Sequence, residues 1–262
     1  MRTNYHTHTC RCLHAMGTEE DYIRSALDVG MDVLGFSDHA PFPDRDFGMR
    51  MPYSELDPYF TAVEKLAAEH ASQITILKSL EIEYLPGYEA YYDYLRNTRN
   101  TDYLLLGEHF YFNSRGEIFN IYNARGTEDY IPYANSIAAA AKTGCFDIIA
   151  HPDLFTLNKF AWDRNCDTAS EIILQAALDT GTVLEFNANG FRRGLHEYPD
   201  GKRHMYPHIN FWKKVAETDA SVIIGADAHE PYQVWDGCMD TAIAYLRDLG
   251  IPPIETLEQA RK

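Results

Sequence analysis

No apolar run in this 262-residue chain approaches the roughly 18 residues that a membrane-spanning helix needs. Met1-Arg2-Thr3-Asn4 leads straight into polar sequence instead of the apolar stretch of a secretory signal, so a cytoplasmic protein with no membrane partner is expected. Basic charge is scarce as well. The 23 Lys+Arg stand against 39 Asp+Glu for a formal net charge of -16, and no Lys/Arg-rich stripe interrupts the acidic background. Duplex nucleic acid would meet little counterion-releasing surface, so none is expected as a partner. The five cysteines (Cys10, Cys12, Cys145, Cys166, Cys238) are odd in number and scattered, which suits reduced thiols better than a disulfide framework. No Gly-x-Ser-x-Gly elbow is present to carry serine catalysis. With 45% hydrophobic and 24% charged residues, no repeat and no linker, the chain reads as one folded domain over residues 1–262.

What the sequence does have is eleven histidines, set in an alternating pattern. Short β-rich runs at 3–9, 31–37, 74–84, 102–110, 147–150, 182–187 and 221–225 alternate with segments whose apolar residues recur every three or four positions: 18–29, 57–70, 88–96, 127–142, 168–179, 209–217 and 241–249. Thr18 with Asp21, Asp57 before Pro58, and Thr168 with Glu171 read as helix starts, and Gly30, Gly144 and Gly181 as stops. Alternation of this kind predicts a parallel sheet, closed into a barrel or doubly wound. Residues 44–53 and 190–207 are long irregular insertions of the sort that shape sites.

In parallel α/β folds the working face lies at the carboxyl ends of the strands. His6 and His8, Asp38-His39, Glu81, His109, His151, Asn187, and Asp227 with His229 all fall at or near such ends. Residues two apart on a strand share a face, so His6-Thr7-His8 and Asp227-Ala228-His229 can each aim two donors into one interior. A lone histidine is ordinarily a surface or core residue, and His70, His196 and His204 keep that reading. Paired imidazoles and carboxylates from nearly every strand instead point to Zn, Mn or Fe, not to Mg or Ca.

This set, with His14 six residues after His8, Ser37-Asp38-His39, His151-Pro152-Asp153, and the runs Leu106-Gly-Glu-His109 and Glu185-Phe-Asn187, resembles the polymerase and histidinol phosphatase (PHP) superfamily over residues 4–230, and its histidinol-phosphatases in particular. The resemblance implies an α/β fold, a distorted (β/α)7 barrel, with three divalent transition-metal ions. His6, His8, Glu81 and Asp227 would hold the first ion, Glu81, His109 and His151 the second, and His14, His39 and His229 the third. Glu83 lies on the same face as Glu81 and is the alternative bridging carboxylate. Three divalent ions less two carboxylates leave about +4 locally, enough to draw a small anionic phosphate ester to the rim of an acidic protein.

The implied activity is hydrolysis of L-histidinol phosphate, a step of histidine biosynthesis, by a hydroxide held between ions; another small phosphate ester, a nucleotide or a diester is the alternative substrate. A regulatory metal module and a deaminase-like barrel are further readings, the latter with fewer ions. Asp38 is expected to orient an imidazole or assist proton transfer, or else to serve the turn after the second strand. Arg192 is the first choice for phosphate, with Arg193, Asn187 and Asn189 also expected at the substrate. One departure stands out: the arginine usual after the His-x-Asp of the fifth strand is missing, leaving Lys159 or Arg164 to take its place.

Overall fold

The computed structural model describes residues 1–260. β1 (Thr3–Asn4) and β2 (Val33–Phe36) flank α1 (Glu19–Asp28), and α2 (Leu56–His70) leads into β3 (Thr75–Lys78) and β4 (Glu81–Ile82). α3 (Glu89–Asp93) precedes β5 (Leu105–Leu106), a hairpin of β6 (Phe110–Phe112) and β7 (Ile118–Asn120), then α4 (Tyr130–Lys142) and β8 (Ile148–Ile149). α5 (Arg164–Thr180) feeds β9 (Val183–Asn187). The chain then passes through α6 (Asn189–Arg192) and a second hairpin, β10 (Leu195–Tyr198) with β11 (Gly201–His204), to α7 (Ile209–Ala216), β12 (Val222–Gly225) and α8 (Gly237–Asp248).

The parallel strands form two arcs, β1-β2-β3 and β12-β9-β8-β5-β4. β3 and β4 are halves of one strand interrupted at Ser79-Leu80, so the eight segments make seven strands. Two isolated parallel bridges, Thr7 with Ala228 and His39 with Glu81, join the arcs into a ring. The outcome is the distorted (β/α)7 barrel. β2, β9 and β12 are buried along their whole length, as strands covered on both faces should be. Among the described residues no helix is long and apolar enough to cross a membrane.

Register explains how apolar floor and polar rim share the same strands. Glu81, Leu105, Ile148 and Val183 are lateral neighbours. Above Val183 on the same face of β9 come Glu185 and Asn187, and Glu185 pairs laterally with Ile223. Leu105, Ile148, Val183 and Ile223 belong to one buried apolar cluster with Tyr5 and Tyr103, a plug under the polar layer. The larger core lies between barrel and helices.

Several boundaries differ from the sequence reading, each for a local reason. Thr18 and Asp21 do form a reciprocal capping box on α1. α5, however, starts at Arg164 because Asp163 accepts from the Asn165 and Cys166 N–H groups; Thr168 turns its hydroxyl back to the Arg164 carbonyl. Asp57 caps nothing, since a 3-10 turn at Tyr53–Glu55 runs directly into α2. α8 begins at Gly237, ahead of the periodic segment at 241–249, because Asp236 accepts from the Cys238 and Met239 N–H groups. The strand expected at 102–110 pairs only at Leu105–Leu106, after which Gly107 to His109 turn toward the rim and Phe110 opens a hairpin.

Candidate metal centre

β1 runs on to His6 and His8, both fully buried, whose Nε2 atoms lie 3.0 Å apart. Glu81 Oε2 stands 3.4 Å from each. Asp227 Oδ1 is 3.6 Å from the first and 3.3 Å from the second. Glu81 is the hub: the same Oε2 is 2.9 Å from His39 Nδ1, while Oε1 is 2.8 Å from His151 Nε2 and 3.6 Å from His109 Nε2. On the outer side His229 Nε2 meets His14 Nε2 at 3.0 Å. Within each of the sets His6–His8–Glu81, His39–Glu81–His109 and His14–His39–His229, donor atoms lie within 4.8 Å of one another. All nine expected side chains thus meet, including His14, which only the family likeness had singled out.

Two glycines make room for this layer. A side chain at Gly107 would overlap the Glu81 carboxylate, and one at Gly225 the Glu185 carboxylate.

Burial by itself would lift Glu81 and Asp227, but the surrounding imidazoles, His39 and His6 foremost for Glu81 and His6 and His8 for Asp227, hold both well below the usual carboxylate range. Burial pushes His8 well down, with His39 and His229 adding to it, and lowers His39 to about 4. At pH 7 the centre therefore holds two carboxylates with His8 and His39 neutral, whereas at His6 and His109 the neighbouring carboxylates, Glu185 foremost for the first and Glu81 for the second, outweigh burial and raise the imidazoles. His14 and His229 each donate Nδ1–H to a backbone carbonyl, of Cys12 and of Asp227, so their Nε2 lone pairs face each other at 3.0 Å, an arrangement that a cation between them would satisfy. The donor set suits divalent transition metals.

A ring of buried groups behind these donors fixes their orientation, and most of it was not foreseen. Glu185 accepts from His6 Nδ1 at 2.7 Å, from the His151 N–H at 3.0 Å and from Asn187 Nδ2 at 2.8 Å. Glu83, the alternative bridging carboxylate, turns outward: Arg50 grips it with two bonds of 2.8 and 3.1 Å, and it holds His109 Nδ1 at 3.2 Å. Burial would raise Glu83, yet Arg50 and His109 bring it down to about 2. His151 and Asp227 sit at φ 31° and 48°, left-handed conformations that cost a non-glycine residue on the order of 1 kcal/mol or more and mark a constrained site. Glu185→Gln should weaken metal affinity about 10- to 100-fold; equilibrium dialysis against a metal buffer measures this, and an unchanged affinity would remove Glu185 from the set.

Three residues expected at the substrate are engaged elsewhere, and Asp38, left between two roles, has its bonds to the turn. Asn187 and Asn189 donate to Asp227 Oδ2 at 3.3 and 3.1 Å, so they orient a candidate ligand instead of facing substrate. Arg192 spends its fork on Asp236, at 2.7 and 3.1 Å, and on the Ala226 and Gln233 carbonyls, bracing the cap of α8. Asp38 accepts from the N–H and hydroxyl of Thr9 at 2.8 and 2.7 Å, which gives it the turn-fixing role.

Above the centre opens a cleft of about 450 Å³ whose lining includes His14, His39 and His109, with Phe47 and Tyr122 beside them and Arg193 on the wall. The 44–53 insertion, the β6–β7 hairpin and the segment after α6 build it. Lys159 and Arg164 are exposed elsewhere, Arg164 as the first residue of α5. Phe47 and Phe110 stack at 4.5 Å, whereas Phe42, Phe155 and Tyr206 are buried and Trp162 stacks on His208.

A protein of Deinococcus radiodurans named "Probable histidinol-phosphatase" is 30% identical over 251 residues, covering 94% of this chain and 92% of that protein. The histidinol-phosphatase of Bacillus subtilis is 23% identical, over 86% of this chain and 92% of its own. Among solved structures, a histidinol phosphate phosphatase of Lactococcus lactis, complexed with zinc, L-histidinol and phosphate, superposes with a TM-score of 0.72 at 16% identity, covering 97% of this chain and 95% of that one, and so shares the fold. The model of the PHP domain matches residues 4–189, and the chain belongs to that family.

Proposed function

We propose that the protein is a metal-dependent histidinol-phosphatase, releasing phosphate and L-histidinol from L-histidinol phosphate in histidine biosynthesis. The names of its relatives point to that substrate. The observation that carries the reading is the convergence of seven imidazoles and two carboxylates beneath a cleft whose lining takes in three of them, His14, His39 and His109, with an arginine on its wall. Three divalent ions, zinc, manganese or iron, would be held as the family likeness implies: by His6, His8, Glu81 and Asp227; by Glu81, His109 and His151; and by His14, His39 and His229. When bound they supply Lewis-acid activation of water and neutralise charge on the phosphoryl oxygens.

The chain's own residues do the rest. Glu185 and the Arg50-bound Glu83 keep the imidazoles aimed, so little reorganisation accompanies the reaction. Arg193, in place of Arg192, faces the phosphate. Phe47, Phe110 and Tyr122 offer flat apolar faces for an imidazole ring.

Phosphate release from L-histidinol phosphate, measured against sugar phosphates, nucleotides and a diester with manganese or zinc added, tests the assignment. Preference for the first supports it, and faster cleavage of nucleotides or diesters replaces it with another phosphoesterase activity. Arg193→Ala should lose about 1.5–3 kcal/mol of charge-assisted binding, a drop of roughly 10- to 100-fold in kcat/KM carried mainly by KM. Arg192→Ala should instead lower the melting temperature and leave KM little changed. Equal KM effects from the two variants would overturn the reassignment.

A further inference from the structure

Cys12 sits at the end of a 3-10 turn, Cys10–Cys12, and is wholly buried. The next residue, Leu13, is left-handed at φ 66°, and His14 returns its Nδ1 to the Cys12 carbonyl at 2.8 Å. This tight reversal places the sulfur against the candidate metal centre: Cys12, His8 and His229 each present a donor atom within 4.8 Å of the others. A second observation concerns His8 alone. Its Nε2 faces Glu81 and Asp227, but its Nδ1 is buried and has no hydrogen-bond partner. A buried polar atom without a partner is uncommon and calls for a ligand.

We propose that Cys12, His8 and His229 form a further cation position, selective for thiophilic ions such as cadmium or zinc over manganese. His229 also belongs to the His14–His39–His229 set and His8 to the His6–His8–Glu81 set, so the new position shares a donor with each and competes most directly for His229. Softness decides the competition: a thiolate favours cadmium, zinc or copper(I), while manganese prefers the set without sulfur. On binding, the S–H bond of Cys12 breaks, a sulfur–metal bond forms, and one proton leaves to solvent; nothing is oxidised or reduced. A thiophilic ion held here draws His229 away from the histidine set.

The inference uses two residues of the proposed phosphatase centre, so the test separates the two. Protein stripped with a chelator is titrated with cadmium, and near-ultraviolet thiolate-to-cadmium absorption is followed alongside the bound metal. One thiolate–metal bond per chain is expected with cadmium. The band should vanish in Cys12→Ser and persist in Cys10→Ser. Cadmium NMR of the wild-type protein, needing no substitution, should show a resonance displaced toward sulfur ligation. Bound cadmium with neither band nor displaced resonance, or a band surviving in Cys12→Ser, would overturn the position and leave the phosphatase reading intact. Absence of phosphatase activity alongside a persistent band would do the reverse.

Discussion

Glu81→Gln should abolish metal-dependent activity, with a loss exceeding the roughly 100-fold that follows from removing a group that merely orients a ligand. The carboxylate contacts five imidazoles through its two oxygens, at 2.8 to 3.6 Å. Glutamine keeps the shape but removes the charge and one acceptor, leaving the histidines without the partner that offsets a bound cation. Elemental analysis of the purified variant should find less metal than in the wild type. Full metal content with full activity would show that Glu81 is not the hub. Glu83→Gln is the informative comparison: its loss should stay within the 10- to 100-fold of an orienting group, since Glu83 reaches the centre only through His109.

Arg50→Ala should destabilise the fold by about 3–5 kcal/mol, the cost of leaving a buried charge without its partner. Both side chains of the Arg50–Glu83 pair are almost fully buried, and Arg50 also donates to the Gly48 and Ala40 carbonyls. Urea unfolding measures the loss; one below about 1 kcal/mol would place the pair among exposed bridges of little worth. The acid limb carries a second signature. Glu83 sits at about 2 in the folded protein, below the ordinary glutamate value of 4.5. A depressed carboxylate contributes stability that is present above pH 4.5 and lost as the pH falls toward 2. In Arg50→Ala the guanidinium no longer opposes the effect of burial on Glu83, so this part of the acid-induced loss should shrink.

The fold and the inward-facing donors could be read from the sequence because both depend on short-range periodicity. Alternation of strand and helix indicated a parallel α/β fold, barrel or doubly wound, the family resemblance implied the barrel, and spacing of two paired His6 with His8 and Asp227 with His229. The supporting residues were harder to see for a physical reason. Glu185 lies 179 positions from His6, and Arg50 lies 33 from Glu83 within an irregular insertion, so no local pattern records either contact. Glu185 did carry a weak signal: it shares its strand face with Asn187, two residues on. Arg192 and Arg193 are adjacent and chemically identical. Only the direction of the turn after α6 decides that the first braces Asp236 while the second faces the cleft. Asp38 was open between two roles, and the Thr9 bonds choose the local one.

The ring of strands is completed at two narrow seams, and both run through the chemistry. One is the single bridge between Thr7 and Ala228, each flanked by candidate ligands; the other pairs His39 with Glu81 themselves. Backbone bonds at these seams are few: His8 to Ala228 and Ala228 to His6 at one, Ala40 to Glu81 and Glu81 to Ser37 or Asp38 at the other. Cations lodged among those side chains would act as rivets across the joints of the cylinder. Loading the centre and shutting the wall then become one event, and an emptied protein is the form whose staves can part.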